Sequence, residues 1–250
     1  MEIPPERVQL MPHFFINSKT VENDVIKITD KENYNHIAKS LRAKIGENLL
    51  LIDENQIQYE GKIEKITPNL IEVQITKSYK SNRGLEFQLY LAQSPLRSDA
   101  QSLIVEKATE LGVDGIYPIF TDNCALKKSV IERKIPKWQK IMQEASKQCE
   151  RAKIPTCFEL SDMKKLLENH RFDRVLAFTE RSTDYNLKDY LAKSPILKNE
   201  KILVIIGPEG GFSAKEFEFF TENKITTLSL GNLILKAETA VITALGNIVL

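Results

Sequence analysis

Two stretches hold the residue types from which a binding site is built: Ile206 to Glu216 (IGPEGGFSAKE) and Leu228 to Ala240 (LSLGNLILKAETA). In the first, Gly207, Gly210 and Gly211 let the backbone turn tightly and approach a ligand closely. Ser213-Ala214-Lys215-Glu216 reads as a capping box that opens a helix. The free N–H groups and positive dipole end of such a helix suit a carboxylate or the polar edge of a cofactor. No Gly-Lys-Ser/Thr follows, so this is not a P-loop, and the spacing is not the Rossmann G-x-G-x-x-G. A plain strand–helix turn would explain the glycines alone; Pro208 and Glu209 among them favour a ligand loop. In the second stretch, Leu233, Ile234 and Leu235 stand between Gly231 and Lys236-Ala237-Glu238-Thr239. As core they would simply pack; as a site, their backbone groups would surround a flat heterocycle. Glu238 and Thr239 fall near a helix start, where capping and dipole complementarity are the ordinary roles.

Other chemistries find less support. His13, His36 and His170 are scattered, with no carboxylate or cysteine spaced to pair with them, which argues against a metal site or a histidine triad. Cys124, Cys149 and Cys157 form no C-x-x-C, so neither a disulfide framework nor a zinc site is expected, and a reduced cytoplasmic setting fits best. The N-terminal MEIPPERVQL lacks a hydrophobic signal core, and no apolar run reaches membrane-span length. Net charge is +1 over 250 residues, so any nucleic-acid partner must be met by a local patch. One such patch is a basic stripe from Lys127 to Lys153, with Trp138, Ile141, Met142, Ala145 and Cys149 on the apolar side of the helix within it. A solvated lysine face is its usual explanation, RNA phosphate contact the sharper one. Arg42 and Lys44, just before Gly46, are further exposed candidates for phosphate.

The elements that position these residues fall into two parts. To about Thr76 the chain reads as a small β domain, with strands at Asp24–Thr29, Asn48–Asp53, Gln56–Ile66 and Leu70–Thr76. A helix over Glu32–Arg42 interrupts them, with Tyr34, Ile37, Ala38 and Leu41 on one face. The polar segment Lys77–Gly84 reads as a flexible boundary, giving domains of 1–78 and 79–250. Beyond it strands and helices alternate. Strands are expected at Glu86–Ala92, Gly115–Phe120, Arg174–Thr179, Lys201–Ile206 and Thr226–Leu230. Helices are expected at Asp99–Leu111, Pro136–Cys149, Asp162–Asn169, Ala214–Asn223 and Glu238–Leu250. Such alternation predicts a mostly parallel sheet covered on both faces, with the two glycine-bearing loops at neighbouring strand ends.

Several motifs in order now resemble one family. They are Glu106-Lys107-Ala108-Thr109-Glu110-Leu111-Gly112-Val113, then Ile206 to Phe212, then Leu230-Gly231 through Leu235 to Glu238-Thr239-Ala240, with weaker matches at His36 to Gly46 and at Glu144-Ala145 through Gln148, Arg151 and Pro155. Together they are similar to the RsmE family of 16S rRNA (uracil-N3) methyltransferases, in the SPOUT superfamily. The resemblance implies an α/β SPOUT domain with a C-terminal trefoil knot, plus a small N-terminal PUA-like β-barrel for RNA. It implies a homodimer with S-adenosyl-L-methionine (SAM) held by Thr179, Glu180, Gly207, Pro208, Glu209, Gly210, Gly211, Leu230, Gly231 and Leu235. Lys236, Glu238 and Thr239 would then stand near the reacting base, and Arg42, Lys44, Arg97 and Arg151 would meet 16S rRNA or the small ribosomal subunit. The chain departs from the family where arginines are usual, at Leu233, Lys236 and His13, and carries Asn123-Cys124 in place of an arginine-serine. The departures motivate two alternatives: an RNA-binding or assembly protein without catalysis, and a SPOUT methyltransferase with another RNA target.

Overall fold

The fold comes from a computed structural model that describes residues 13–81, 83–180 and 185–250; the N-terminal decapeptide lies outside them. The chain divides into two compact units, one ending at Arg83 that also takes in Glu150–Lys153, the other made of Gly84–Cys149 and Ile154–Leu250.

The first unit is a six-stranded sheet in the order β1-β4-β5-β6-β3-β2. Its strands are β1 (His13–Phe15), β2 (Val21–Glu22), β3 (Val25–Ile28), β4 (Asn48–Ile52), β5 (Ile57–Thr67) and β6 (Leu70–Lys80). Helix α1 (Lys31–Tyr34), capped by Asp30, continues as a π-helical stretch over Asn35–Ser40. All pairings are antiparallel except β1 with β4. Strand β5 carries two register shifts, and Gly61 sits at one: a Cβ there would fall 2.6 Å from Val73 Cγ1. Phe14, Ile26, Ile28, Ile37, Leu51, Ile63 and Val73 fill the core. Strand β6 runs on through Lys77–Lys80, which composition alone reads as a linker. Ile57–Glu60 of β5 supplies the ladder that holds this polar stretch extended.

His13, one of the positions where the family usually has an arginine, lies in the core. It opens β1, buried and stacked on Phe15 with ring centroids 5.2 Å apart. Burial pushes its pKa below the ordinary value; Glu150 opposes that and Arg83 adds to it. It is a core side chain, in keeping with the loss of an RNA-facing group at this position.

The second unit is a six-stranded, wholly parallel sheet in the order β12-β10-β11-β7-β8-β9. The strands are β7 (Gln88–Gln93), β8 (Gly115–Pro118), β9 (Thr156–Cys157), β10 (Arg174–Phe178), β11 (Lys201–Ile206) and β12 (Thr226–Leu228). Between them lie α2 (Ser98–Glu110), α3 (Lys128–Gln148), α4 (Met163–Asn169), α5 (Leu187–Lys193), α6 (Ala214–Glu222) and α7 (Ala237–Val249). The run Ile202–Ile206 is buried throughout because β11 is central and covered on both faces. Ile202, Val204 and Ile206 face a core shared with α2, α3 and α7, while Leu203 and Ile205 face Met163, Leu166 and Phe220 on the other side.

Helix α3 begins at Lys128, eight residues before the expected start at Pro136, and takes the proline into its interior. Ile131 and Ile135 continue the apolar stripe of Trp138 and Met142 at helical spacing. Burial of that stripe offsets the hydrogen bond that proline cannot donate. Pro136 itself faces solvent. The strands β1, β2 and β9 carry too few residues to show a period, and sequence reading passes over them and over α5.

Candidate cofactor cleft

Register brings the candidate residues together. Leu228, Phe178, Ile206, Gln93 and Pro118 lie side by side across the sheet, so five parallel strands end on one line. The loops that follow β10, β11 and β12 therefore emerge at the same edge. They line a cleft of about 1540 Å³, the position where open parallel sheets bind ligands.

The loop after β11 turns at Gly211, whose φ of +66° favours glycine. It ends in the expected capping box: Ser213 Oγ accepts from Glu216 N, and Glu216 Oε2 accepts from Ser213 N at 2.7 Å. Glu216 is buried, and its other oxygen accepts from Asp122 N at 3.1 Å. Ser213 Oγ donates to Asp122 at 2.6 Å. Asn123 completes the brace by donating from Nδ2 to the carbonyls of Gly210 and Gly211, each at 3.1 Å. The segment after β8 thus fixes the glycine loop from behind. Sequence reading noted Asn123 only as a departure; with Gly210 eighty-seven residues away, no spacing signal could have paired them.

The loop after β12 is held differently. Thr179 N donates to Leu228 O, Ser229 N to Tyr185 O and Leu187 N to Ser229 O, all between 3.0 and 3.1 Å. The chain past β12 is thereby pinned along the segment that follows β10. Gly231 then takes φ +125°, with nothing near the position a Cβ would occupy. Leu233 and Ile234 come next with relative exposures of 81% and 53%. Helix α7 starts on Lys236 without a side-chain cap, so capping does not account for the polar run there.

Thr179, Glu180, Gly207, Pro208, Glu209, Gly210, Gly211, Leu230, Gly231, Leu235, Lys236 and Glu238 all line the cleft. Thr239 does not. One step along a helix turns a side chain by about 100°, and Thr239 faces solvent. Phe178, Phe212, Asn186 and Ala240 line the cleft as well, residues that sequence reading did not single out. Arg97 is exposed immediately before α2, three residues ahead of Ala100, which lines the cleft. Arg42 and Lys44 are exposed in the first unit, where Arg42 adopts φ +54°; Arg151, half-buried, also belongs to that unit. Among the described residues no group of three or more His, Cys, Asp or Glu could hold a metal ion. No helix among them is long and apolar enough to cross a membrane.

A backbone-lined cleft at the ends of a parallel sheet, on one chain with a separate β-sheet unit, defines a class. The family model for an RNA methyltransferase domain matches residues 83–249, and that for an RNA methyltransferase PUA domain matches residues 28–76. The chain belongs to the ribosomal RNA small subunit methyltransferase E family. It is 30% identical to the enzyme of that name from Rickettsia conorii, covering 94% of this chain and 93% of the relative. It is 27% identical to the one from Bacillus subtilis, covering 95% and 96%. A protein of Legionella pneumophila, described as a methyltransferase and solved with bound cofactor SAM, superposes with a TM-score of 0.83 at 26% identity, covering 95% and 96%.

Proposed function

We propose that the chain is a SAM-dependent methyltransferase that methylates N3 of a uridine in 16S rRNA of the small ribosomal subunit. The observation that carries this reading is the cleft itself. Its loops present backbone groups from three neighbouring strand ends, and its volume of about 1540 Å³ accommodates a nucleoside cofactor. Phe178, Phe212, Leu230 and Leu235 supply apolar walls for an adenine, and Glu180 and Glu209 supply carboxylates for a cationic ligand. SAM when bound supplies a methyl group on a sulfonium, already strongly electrophilic.

The protein's part is then alignment and proton removal. Uracil N3 becomes nucleophilic only once its proton leaves, and a general base typically contributes about 10²–10⁴-fold. Glu238, half-buried in the cleft wall, is our candidate to take that proton. Lys236, at the N-terminus of the same helix, is our candidate to balance charge developing on the base. The Watson–Crick edge of the target has to be unpaired or flipped out. Exposed Arg42, Lys44 and Arg97, with Arg151, are assigned to RNA.

The backbone bonds that pin Ser229 between Tyr185 and Leu187 support a trefoil knot closed over the cleft. The bulged, six-stranded first unit supports a PUA-like barrel, with the division between domains moved from residue 78 to about Arg83, because β6 runs on to Lys80. A homodimer belongs to the same reading, and sedimentation equilibrium reads it directly. The enzymatic reading is tested by primer extension on 16S rRNA from cells with and without the gene. A stop at one uridine that disappears in the deletion strain and returns with the wild-type gene is the expected result. An unchanged stop overturns the reading and leaves the non-catalytic RNA-binding alternative, which the exposed leucine at 233 favours.

A further inference from the structure

Helix α3 concentrates a charge that the rest of the chain cancels. From Lys127 to Gln148 there are seven Lys and Arg against two Glu, in a chain of net charge +1. Ile131, Trp138, Met142 and Ala145 form its buried side. Around the other side Arg133, Lys137 and Lys140 follow at intervals of four and three residues, all exposed, and so lie one above another. Like charges at these intervals repel and weaken a helix, so folding does not explain them. Neighbouring acids are already engaged: Glu106 and Glu110 each contact Lys107 at 2.8 Å, and Glu144 contacts Lys147 at 3.5 Å. Lys137 and Lys140 form no ion pair among the described residues, and they line a groove of about 670 Å³ between α2 and α3. The loop that leads into α3 is the one whose Asn123 braces Gly210 and Gly211, so the helix departs from beside the cofactor cleft.

We propose that the exposed basic face of α3 is a track for the RNA phosphates that flank the modified nucleotide, centred on Lys137 and Lys140. The inference rests on the RNA substrate proposed above and assigns part of its binding surface. A phosphate backbone laid along the helix replaces lysine–lysine repulsion with attraction and releases counterions. Lysine, a point charge on a flexible stem, meets phosphate without reading sequence.

The test uses the full chain and the double variant Lys137→Gln/Lys140→Gln, with a labelled single-stranded RNA oligonucleotide followed by anisotropy across a potassium chloride titration. The slope of log K against log salt should fall by roughly 1.4, about 0.7 for each single-strand phosphate that the variant no longer neutralises. The melting temperature should hold or rise, because repulsion has been relieved, and Lys137→Arg/Lys140→Arg should keep the wild-type slope. SAM affinity by calorimetry should not move. An unaltered slope overturns the proposal, as does a loss of RNA affinity that tracks a lower melting temperature. Wild-type protein that binds no SAM would sink the methyltransferase reading and leave the salt slopes to judge α3 independently.

Discussion

Asn123 holds two carbonyls of a loop that lies eighty-seven residues further along the chain, and its Cβ would be 3.1 Å from a Cβ built on Gly210. Alanine there removes both bonds and leaves the glycine loop free to sample other turns. At roughly 0.5–1.5 kcal/mol for each net hydrogen bond, Asn123→Ala should weaken SAM binding about tenfold by calorimetry. Asn123→Asp should do no better, because a carboxylate cannot donate. Wild-type affinity in both variants would mean that the loop keeps its shape unaided. Leu233 is the opposite case, a large apolar side chain left in solvent at the cleft. Exposed substitutions usually shift stability by less than about 0.5 kcal/mol, so Leu233→Arg should fold normally and raise rRNA affinity in a filter-binding titration. His13 predicts a pH dependence. Burial holds its folded pKa below the ordinary 6.5, so the unfolded chain takes up the proton first as pH falls. Its contribution to stability is complete above 6.5 and is lost as pH drops from there towards the folded value. The melting temperature of wild type should therefore fall more steeply between neutral and mildly acid pH than that of His13→Phe.

Elements with a strong local signal are legible from sequence, and those defined by partners are not. The run Lys201–Ile206 is the strand as expected, because a continuous aliphatic stretch that ends at glycine has little alternative to a central parallel strand. The capping box at Ser213 is equally readable, its two partners being three residues apart. Its full role is not, since Glu216 also accepts from Asp122 N, ninety-four residues away. Glu216→Ala removes two bonds to a buried carboxylate, one of which is the reciprocal half of the cap. At roughly 1.5–3 kcal/mol for each hydrogen bond to a charged group, urea unfolding should show a loss of about 3 kcal/mol or more. A loss under about 1 kcal/mol would mean that water replaces the carboxylate without strain. The start of α3 misleads because Pro136 is a good first residue for a helix. The stripe Ile131, Ile135, Trp138 outweighs it. β9, two residues long, exists only because β8 lies beside it.

For the molecule as a whole, every residue that lines the large cleft belongs to the second unit. SAM should accordingly slow amide exchange over 207–213 and 229–236 and leave β3, β5 and β6 unchanged, as hydrogen–deuterium exchange with mass spectrometry would read. Protection confined to the first unit would contradict the cofactor assignment. Alternation of strands and helices predicts the parallel sheet, and it cannot predict the order β12-β10-β11-β7. Strand order depends on which loops pass over which, and hydrophobic period carries no record of that. The taper of this sheet has a further consequence. Its middle strands β7 and β11 hold six residues each, while its margins β9 and β12 hold two and three. A margin so short exposes few unpaired backbone groups on which another polypeptide could add a strand. The molecule should accordingly resist edge-to-edge aggregation at high concentration. On the β12 side, a single bridge from Ser229 to Asn186 follows the end of the strand, and the chain turns into the cleft at Gly231.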